Sequence, residues 1–483
     1  MSARGAVRGF LVLVSSSALM QVISFFTIAV AARRVGPDAL GAYNFTTGLV
    51  LYLSLPINVG ITSLALRDVA REPHRVREIT GEVFALQAAI AIAMYCVLLV
   101  LTPVISPTQA AERLLPIAGI AILTGTNVEW ALQGLERMGL VAAARVGGHL
   151  LYGALVPLLV TGGDDGIVLF AWLTVGGLAL KEVLTMVFLV RVSSVPKWPR
   201  SAGRLWRRLK SSVPMSYAMI MIQIYGSIDL VMLGYLSTSN ATGQYGVAYK
   251  IPAAIMTLGG AWVQVLLPRV TKLVDVDRRQ VIADIGRFAA AVSLVAVPLA
   301  ACAPFVATDM MKLFFGGQYA AAGVPFALLM VAVGITLLTG NYATTLLALR
   351  DDRRMAIAVT IPAVVNVVTN IFMIPAFGPT GAAIDTIVSE LLVLVYVITR
   401  CRKLLGGSQT DLPRIARVIA ATAVAVVALA LLGPDVHVLF RILAGTAVFA
   451  VAAVVVRAVR PDELRAVAAR RGRPAPVGAG VGP

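Results

Sequence analysis

The chain has 483 residues, of which 59% are hydrophobic and only 13% are charged. Ordinary soluble domains carry about 25% charged residues, so this composition excludes a water-soluble globular protein and indicates an integral membrane protein. The net charge of +17 is attributed to cytoplasmic loops rich in Lys and Arg rather than to nucleic-acid binding, because no compact basic domain or RNA-binding motif is present.

Fourteen apolar stretches along the chain are long enough to cross a bilayer core, which takes about 20 residues of helix. The spans must be helical because lipid offers no partner to free backbone N–H and C=O groups. The chain is therefore predicted to be an all-α membrane protein. In chain order the predicted spans are 9–32, 40–66, 83–102, 114–133, 140–161, 167–190, 212–236, 244–268, 288–307, 323–348, 355–375, 379–399, 415–432 and 438–456.

The basic residues predict the orientation of these spans. If the N-terminus is cytoplasmic, 33 of the 41 Lys and Arg residues fall in cytoplasmic segments or at the inner end of a span. Such a bias is what the positive-inside rule describes. We therefore expect a multi-pass protein of the cell membrane with both termini in the cytoplasm. Only five basic residues fall in the outer connections or at the outer end of a span: Arg33, Arg34, Arg113, Lys312 and Arg441.

A short internal repeat indicates how the spans are grouped. Residues 38–43 (DALGAY) align with residues 240–245 (NATGQY) at an offset of 202. This offset relates spans 1–2 to spans 7–8 and preserves their orientation, which favours two parallel six-helix lobes related by an axis along the membrane normal. The predicted organisation is an N-terminal lobe (1–190), a cytoplasmic linker (191–211), a C-terminal lobe (212–400), two additional helices (401–458) and a disordered basic tail (459–483).

Eight ionisable side chains within the predicted spans are candidates for a functional site. A charge at bilayer depth costs roughly 2.5–3.5 kcal/mol, so such residues usually face protein or water and often mark a functional site. The eight are Glu129, Arg145, Lys181, Glu182, Asp229, Lys250, Asp385 and Glu390. Glu129 and Arg145 lie near the inner ends of their spans, where they could pair with each other or extend to the membrane boundary.

The other six lie deeper. Asp229 and Lys250 are each predicted about 10 Å below the outer boundary, from a helical rise of 1.5 Å per residue. They could form an ion pair across the hairpin, or Lys250 could bind an anionic substrate and Asp229 a coupling ion.

The neighbours Lys181 and Glu182 are about 100° apart on a helix. They are expected to point in different directions, with Lys181 as a second cation of the cavity.

Two further sets of candidates remain. Asp385 and Glu390 are about 140° apart on one helix, so different roles are expected, one of them as a proton or sodium site. Arg33 and Arg34 end the first span at the outer face, where basic residues are rare. They could bind phosphate groups, gate the exit of the cavity or simply anchor the helix.

Several segments resemble the oligosaccharide flippases of the MOP superfamily, the Wzx-type polysaccharide biosynthesis proteins. The resemblance extends over about residues 1–400, and it depends on the order and spacing of the segments because no single motif is diagnostic. The segments are ARRVGPDALGAYNF (32–45), QGLERM (133–138), SIDLVMLGYLSTSNATGQYGVAYKI (227–251) and FGPTGAAIDTIVSELL (377–392).

The resemblance implies two lobes around a central cavity that move a polyprenyl-diphosphate-linked oligosaccharide from the inner to the outer face by alternating access. Implied partners are that lipid-linked substrate, membrane lipids and a polysaccharide polymerase or glycosyltransferase. Neither a cofactor nor a metal is expected. The candidate cavity cations are Lys250, Lys181, Arg33, Arg34 and Arg145, and the candidates for a coupling-ion site or an ion pair are Asp229, Asp385, Glu390 and Glu129.

Three other functions are open to a chain of this composition. A multidrug or cation antiporter and a lipid II flippase belong to the same superfamily. A membrane enzyme acting on lipid-linked sugars is disfavoured, because the predicted outer loops are short and the three His residues are scattered.

Overall fold

A computed structural model describes residues 3–58, 60–199, 201–274, 276–349, 351–407 and 410–459, and all regular elements in these ranges are helical, as predicted. Two short 3₁₀ helices, Pro73–Arg75 and Gly317–Ala322, join longer α-helices. The α-helices are α1 (Ala3–Asn58), α2 (Ile61–Arg71), α3 (Val76–Ile105), α4 (Gln109–Leu123), α5 (Glu129–Gly134), α6 (Met138–Leu159), α7 (Gly163–Ser193), α8 (Ala202–Leu236), α9 (Ser239–Ala248), α10 (Lys250–Leu273), α11 (Arg278–Phe315), α12 (Gly323–Ala348), α13 (Asp352–Leu405), α14 (Leu412–Leu432) and α15 (Val438–Val455).

Each predicted span overlaps a helix. The helix α13 holds two predicted spans, and α1 holds one and most of a second. In α1 the helical conformation is interrupted at Gly36 (φ 83°) and in α13 at Gly378 (φ 55°). Glycine adopts positive φ at little cost, and each glycine precedes a proline, which disfavours helix at the residue before it. Both interruptions lie where the sequence predicts a connection between spans.

Nine helical stretches within the described residues are long and apolar enough to cross a membrane. That count takes residues 12–71 and 354–405 as one stretch each. The number of fourteen crossings therefore stays a prediction.

Other boundaries differ from those predicted. The second predicted span is broken at Gly60, the fourth between α4 and α5, and the eighth at Tyr249. Much of the predicted linker is helical, since α7 continues to Ser193 and α8 already begins at Ala202. The predicted tail lies outside the described residues from position 460 onward.

The surface of the helices suits lipid. Large apolar side chains are exposed on several helices, including Val104 (82%), Leu158 (76%) and Leu431 (83%). Soluble proteins rarely expose apolar patches on this scale. The chain is a multi-pass membrane protein.

The repeated segments meet in the structure. α1 packs against α9, and Asn240 Nδ2 donates a hydrogen bond of 3.1 Å to Asp38 Oδ2. These two residues occupy equivalent positions in the repeat, 202 residues apart. Residues related by a two-fold axis touch one another only close to that axis, so the contact places the axis near this pair.

Two glycines in the repeat make reciprocal contacts. A Cβ atom on Gly41 would lie 1.7 Å from the carbonyl oxygen of Ser239, and one on Gly243 would lie 1.9 Å from that of Pro37. The offset of 202 converts Gly41 into Gly243 and Pro37 into Ser239, so the two contacts are equivalent. This symmetry supports the proposed parallel repeat, and it explains the glycine that residues 38–43 and 240–245 share as a close helix crossing.

Candidate transport site

The buried carboxylate of Asp229 on α8 is surrounded by neutral hydrogen-bonding groups. Tyr245 Oη donates to Asp229 Oδ2 at 2.7 Å, and Asn370 Nδ2 donates to Oδ1 at 2.9 Å. Thr386 Oγ1 lies 3.2 Å from Asp229 Oδ2. The partners come from α9 and from both halves of α13, so the interruption of α13 at Gly378 allows one helix to contact Asp229 twice.

A second carboxylate, Asp385, lies beside this group. It is buried and accepts a hydrogen bond from Thr369. Three buried oxygen atoms near this part of α13 have no hydrogen-bond partner among the described residues: Asn370 Oδ1, Asp385 Oδ2 and Ser389 Oγ. Buried polar atoms are normally satisfied, so unpaired oxygens beside two carboxylates are suited to a hard cation or a proton.

The remaining carboxylate on this half of α13, Glu390, is also buried. It follows Asp385 by five residues, which puts the two side chains on different faces of the helix. The hydrogen bonds described for the Asp229 group do not include Glu390. The expectation of different roles for Asp385 and Glu390 remains a prediction.

Lys250 is not paired with Asp229, so the ion pair considered from the sequence is wrong. Lys250 begins α10 directly after the break at Tyr249, is partly buried, and makes no hydrogen bond or salt bridge to any residue that the structure describes. Tyr245, Asn370 and Thr386 supply the donors that Asp229 needs, so the carboxylate is satisfied without a cation.

Lys250 and Thr257 lie on the same face of α10. Thr257 lies seven residues later, and residues seven apart share one face of a helix. Thr257 accepts a hydrogen bond of 3.1 Å from Gln21 on α1. Lys250 therefore lies on the face of α10 that meets the first helix of the N-terminal half.

The cations predicted in the N-terminal half are paired. Arg145 forms an ion pair with Glu129, which also accepts a hydrogen bond of 2.8 Å from Gln133. The sequence is compatible with pairing of these two residues or with extension to the membrane boundary, and the structure shows pairing.

Lys181 Nζ lies 2.6 Å from Glu182 Oε1, so the expectation that these neighbours point apart is wrong. A rotation of 100° separates the two Cβ atoms, but the long side chains turn toward each other.

Arg33 and Arg34 bind the ends of other helices. Arg33 Nε donates to the carbonyl oxygen of Phe314 at 2.9 Å, near the end of α11. Arg34 Nη1 donates to the carbonyl oxygen of Val160 at 2.6 Å, directly after α6. The last carbonyls of a helix lack intrahelical donors, and arginine supplies them. These contacts favour the anchor among the three roles considered for this pair.

Sequence reasoning missed the partners of Asp229 because their side chains carry no charge. One signal was present: Asn366 and Asn370 are four residues apart in an otherwise apolar span and therefore share one helix face. Asn370 Nδ2 lies 3.3 Å from Asn366 Oδ1. Tyr245 and Thr386 gave no comparable signal.

Two relatives found by comparison with known proteins are named as a transporter and a flippase. The chain is 20% identical to "Putative O-antigen transporter" of Escherichia coli (strain K12), over 80% of this chain and 94% of that protein. It is 23% identical to "Probable low-salt glycan biosynthesis flippase Agl15" of Haloferax volcanii, over 76% of this chain and 77% of that protein.

Solved structures share the fold. A structure of the lipid II flippase MurJ in an inward closed conformation matches with a TM-score of 0.76, 14% identity and coverage of 92% of this chain and 99% of that one. An inward-facing multidrug resistance MATE family transporter of the MOP superfamily matches with a TM-score of 0.62, 16% identity and coverage of 82% and 99%. Residues 6–274, more than half of the chain, match the family described as polysaccharide biosynthesis protein, and the protein belongs to that family.

Proposed function

We propose that this protein moves a polyprenyl-diphosphate-linked oligosaccharide from the inner to the outer face of the cell membrane, for assembly of a surface polysaccharide. The family and the two named relatives support a glycan substrate. The two halves would open alternately to either side of the membrane, with both termini in the cytoplasm as the distribution of basic residues favours. A polysaccharide polymerase or glycosyltransferase would supply or consume the glycan.

The observation that carries this proposal is Lys250, a cation without a partner among the residues that the structure describes. Arg145 and Lys181 are neutralised by carboxylates, and Arg33 and Arg34 are engaged with helix ends. Lys250 alone among the five predicted cavity cations has no partner within the described residues, and it lies on the α10 face that meets α1. A lysine in such a place lowers the energy of a diphosphate crossing the apolar core by Coulomb attraction.

The Asp229 group would supply the driving force. Transport in one direction requires a ligand that binds the two conformational states with different affinities. Equal binding to both states would leave their equilibrium unchanged. Asp229, Asp385 and the unpaired oxygen of Asn370 would bind a proton or a sodium ion in one state and release it in the other. Carboxylates buried in transporters commonly have this use.

The test is flipping in proteoliposomes. A fluorescent polyprenyl-diphosphate oligosaccharide is followed with a membrane-impermeant quencher, with and without proton or sodium gradients. Lys250→Ala is expected to slow flipping by about tenfold, equivalent to ~1.4 kcal/mol of lost attraction, and Lys250→Arg is expected to restore most of the rate. Lys272→Ala is the matched control, because Lys272 is an exposed lysine on the same helix.

A rate unchanged by Lys250→Ala, or slowed equally by Lys272→Ala, would contradict the role of Lys250. The buried carboxylates favour one other function, a cation antiporter. A cation antiporter would give gradient-driven efflux of a cationic dye and would flip neither this lipid nor lipid II.

A further inference from the structure

A charged cleft lies at the basic end of the molecule, away from the Asp229 group. Its volume is about 480 Å³, and it lies between α2, α3 and the first turns of α8. Four arginines and two carboxylates line it: Arg75, Arg204, Arg207, Arg208, Asp68 and Glu82. The transport mechanism proposed above uses none of them.

Ion pairs build the inner wall of the cleft. Arg208 lies 3.0 Å from Asp68 and 3.5 Å from Glu82, and Arg204 lies 3.3 Å from Glu82. The side chain of Glu82 is only 10% exposed. A nearly buried carboxylate needs compensating charge, and two arginines provide it. The pairs hold α8 against α2 and α3 and fix the guanidinium groups in place.

The rim of the cleft has an excess of positive charge. Arg207 is exposed and makes no ion pair with any residue in the described ranges. Within the described part of the chain Arg204 has a single carboxylate partner, and a guanidinium carries five N–H donors. Arg75 is engaged outside the cleft, 2.7 Å from Glu72 and 3.8 Å from Glu78. The unused donors therefore belong mainly to Arg204 and Arg207.

The chain before α8 is held in a defined position. The backbone N–H of Lys197 donates to the carbonyl oxygen of Arg77 at 2.9 Å. A Cβ atom on Gly81 would lie 1.7 Å from the carbonyl oxygen of Lys197, so α3 accepts the linker only because this residue is glycine. Arg204 and Arg207, one turn apart at the start of α8, are thereby placed beside the cleft.

The cleft lies where lipid headgroups are found. α2 ends and α3 and α8 begin around it, and Trp206, next to Arg207, is 66% exposed. Exposed tryptophan is typical of the interface between membrane and water. The orientation proposed from the basic residues places this end at the cytoplasmic leaflet, which is rich in anionic lipids.

We propose that this cleft binds the phosphate headgroup of an anionic membrane lipid through Arg204 and Arg207. Guanidinium donors fit phosphate oxygens in pairs, and the cleft is large enough for a headgroup while the acyl chains remain in the bilayer. The site would bind a resident lipid irrespective of the transported substrate, so it is independent of the function proposed above.

The test is native mass spectrometry of the purified full chain, titrated with phosphatidylglycerol or with phosphatidylcholine. Phosphatidylglycerol is expected to bind more tightly, and Arg204→Gln/Arg207→Gln is expected to weaken its binding by at least about tenfold, since each basic residue near the surface attracts an anionic headgroup. Arg207→Gln alone, which breaks no ion pair, is expected to give part of this loss with an unchanged melting temperature. The matched control is Arg278→Gln/Arg279→Gln, an exposed arginine pair at the start of α11.

Equal weakening by the control variant would overturn the proposal, because it would reflect surface charge alone. Unchanged phosphatidylglycerol binding in Arg207→Gln and in Arg204→Gln/Arg207→Gln would also overturn the proposal. Inorganic phosphate and pyrophosphate distinguish the source of the ligand. Little displacement of the lipid at millimolar concentrations supports a headgroup site, and full displacement would mean that the cleft takes a soluble anion instead.

Discussion

Asp229 is a buried carboxylate held by neutral donors, from Tyr245 and Asn370, and not by a cation within the described residues. A buried charge without a counter-charge is costly. Proteins keep such groups where a proton or a metal ion completes the site. Its partners come from three helical segments. Binding or release of a proton or metal ion at Asp229 would therefore change contacts of α8, α9 and α13 together.

Replacing Asp229 tests this role. Asp229→Asn keeps the shape of the side chain and removes its charge, so the response of flipping to a proton or sodium gradient is expected to fall by about tenfold, or ~1.4 kcal/mol of ion binding. Gradient-driven flux in proteoliposomes measures it. Asp164→Asn, an exposed carboxylate at the start of α7, is expected to have no effect. A full gradient response in Asp229→Asn would remove Asp229 from the coupling site.

The pair of Arg145 and Glu129 is expected to be structural. Both side chains are largely buried, with 28% and 12% exposure, so removal of one partner leaves an uncompensated charge. Arg145→Gln and Glu129→Gln should each lower the melting temperature, and the double variant should lose less than the two combined. A double-mutant cycle is expected to give a coupling of about 1–3 kcal/mol. Additive losses would mean that the two side chains do not stabilise each other.

At the scale of elements, the crossing of α1 and α9 depends on two glycines. Gly41 lies against the backbone of Ser239, and Gly243 lies against that of Pro37. Small residues allow membrane helices to approach closely, where packing and not the hydrophobic effect drives their association. The additional helices use charge instead: Arg441 on α15 pairs with Asp309 on α11, which docks α14 and α15 onto the C-terminal half.

A pair of substitutions tests the crossing. Gly243→Ala places a methyl group against the backbone of Pro37, and the overpacking is expected to cost about 1–3 kcal/mol. Gly176→Ala is the control, because a Cβ there meets nothing within 4 Å, and replacing glycine by alanine within a helix stabilises it by up to about 1 kcal/mol. The melting temperature should therefore fall for Gly243→Ala and stay or rise for Gly176→Ala. A fall of the same size in both would show that the crossing tolerates a side chain.

At the scale of the whole molecule, the contact between Asp38 and Asn240 joins the two repeats at one end. Alternating access requires the halves to separate at one end and then at the other. Since this contact lies near the pseudo-symmetry axis, it must open in one of the two states.

A cross-link at this contact is expected to stop transport. Asp38→Cys/Asn240→Cys, joined by a short thiol reagent in a background without the three native cysteines, should lose nearly all flipping in proteoliposomes. Cleavage of the linker should restore it, and either single cysteine variant should be unaffected by the reagent. Continued flipping by the cross-linked protein would mean that this end of the molecule does not open.

Sequence and tertiary structure determined different parts of this protein. The helical spans, the interruptions at Gly36 and Gly378 and the repeat could be predicted from the sequence, because hydropathy, length and proline or glycine chemistry act locally along the chain. The partners of the buried charges could not, since Asn370 lies 141 residues from Asp229 and only helix packing brings them together. Helix packing also leaves Lys250 unpaired with Asp229, and it forms the charged cleft from three separate helices.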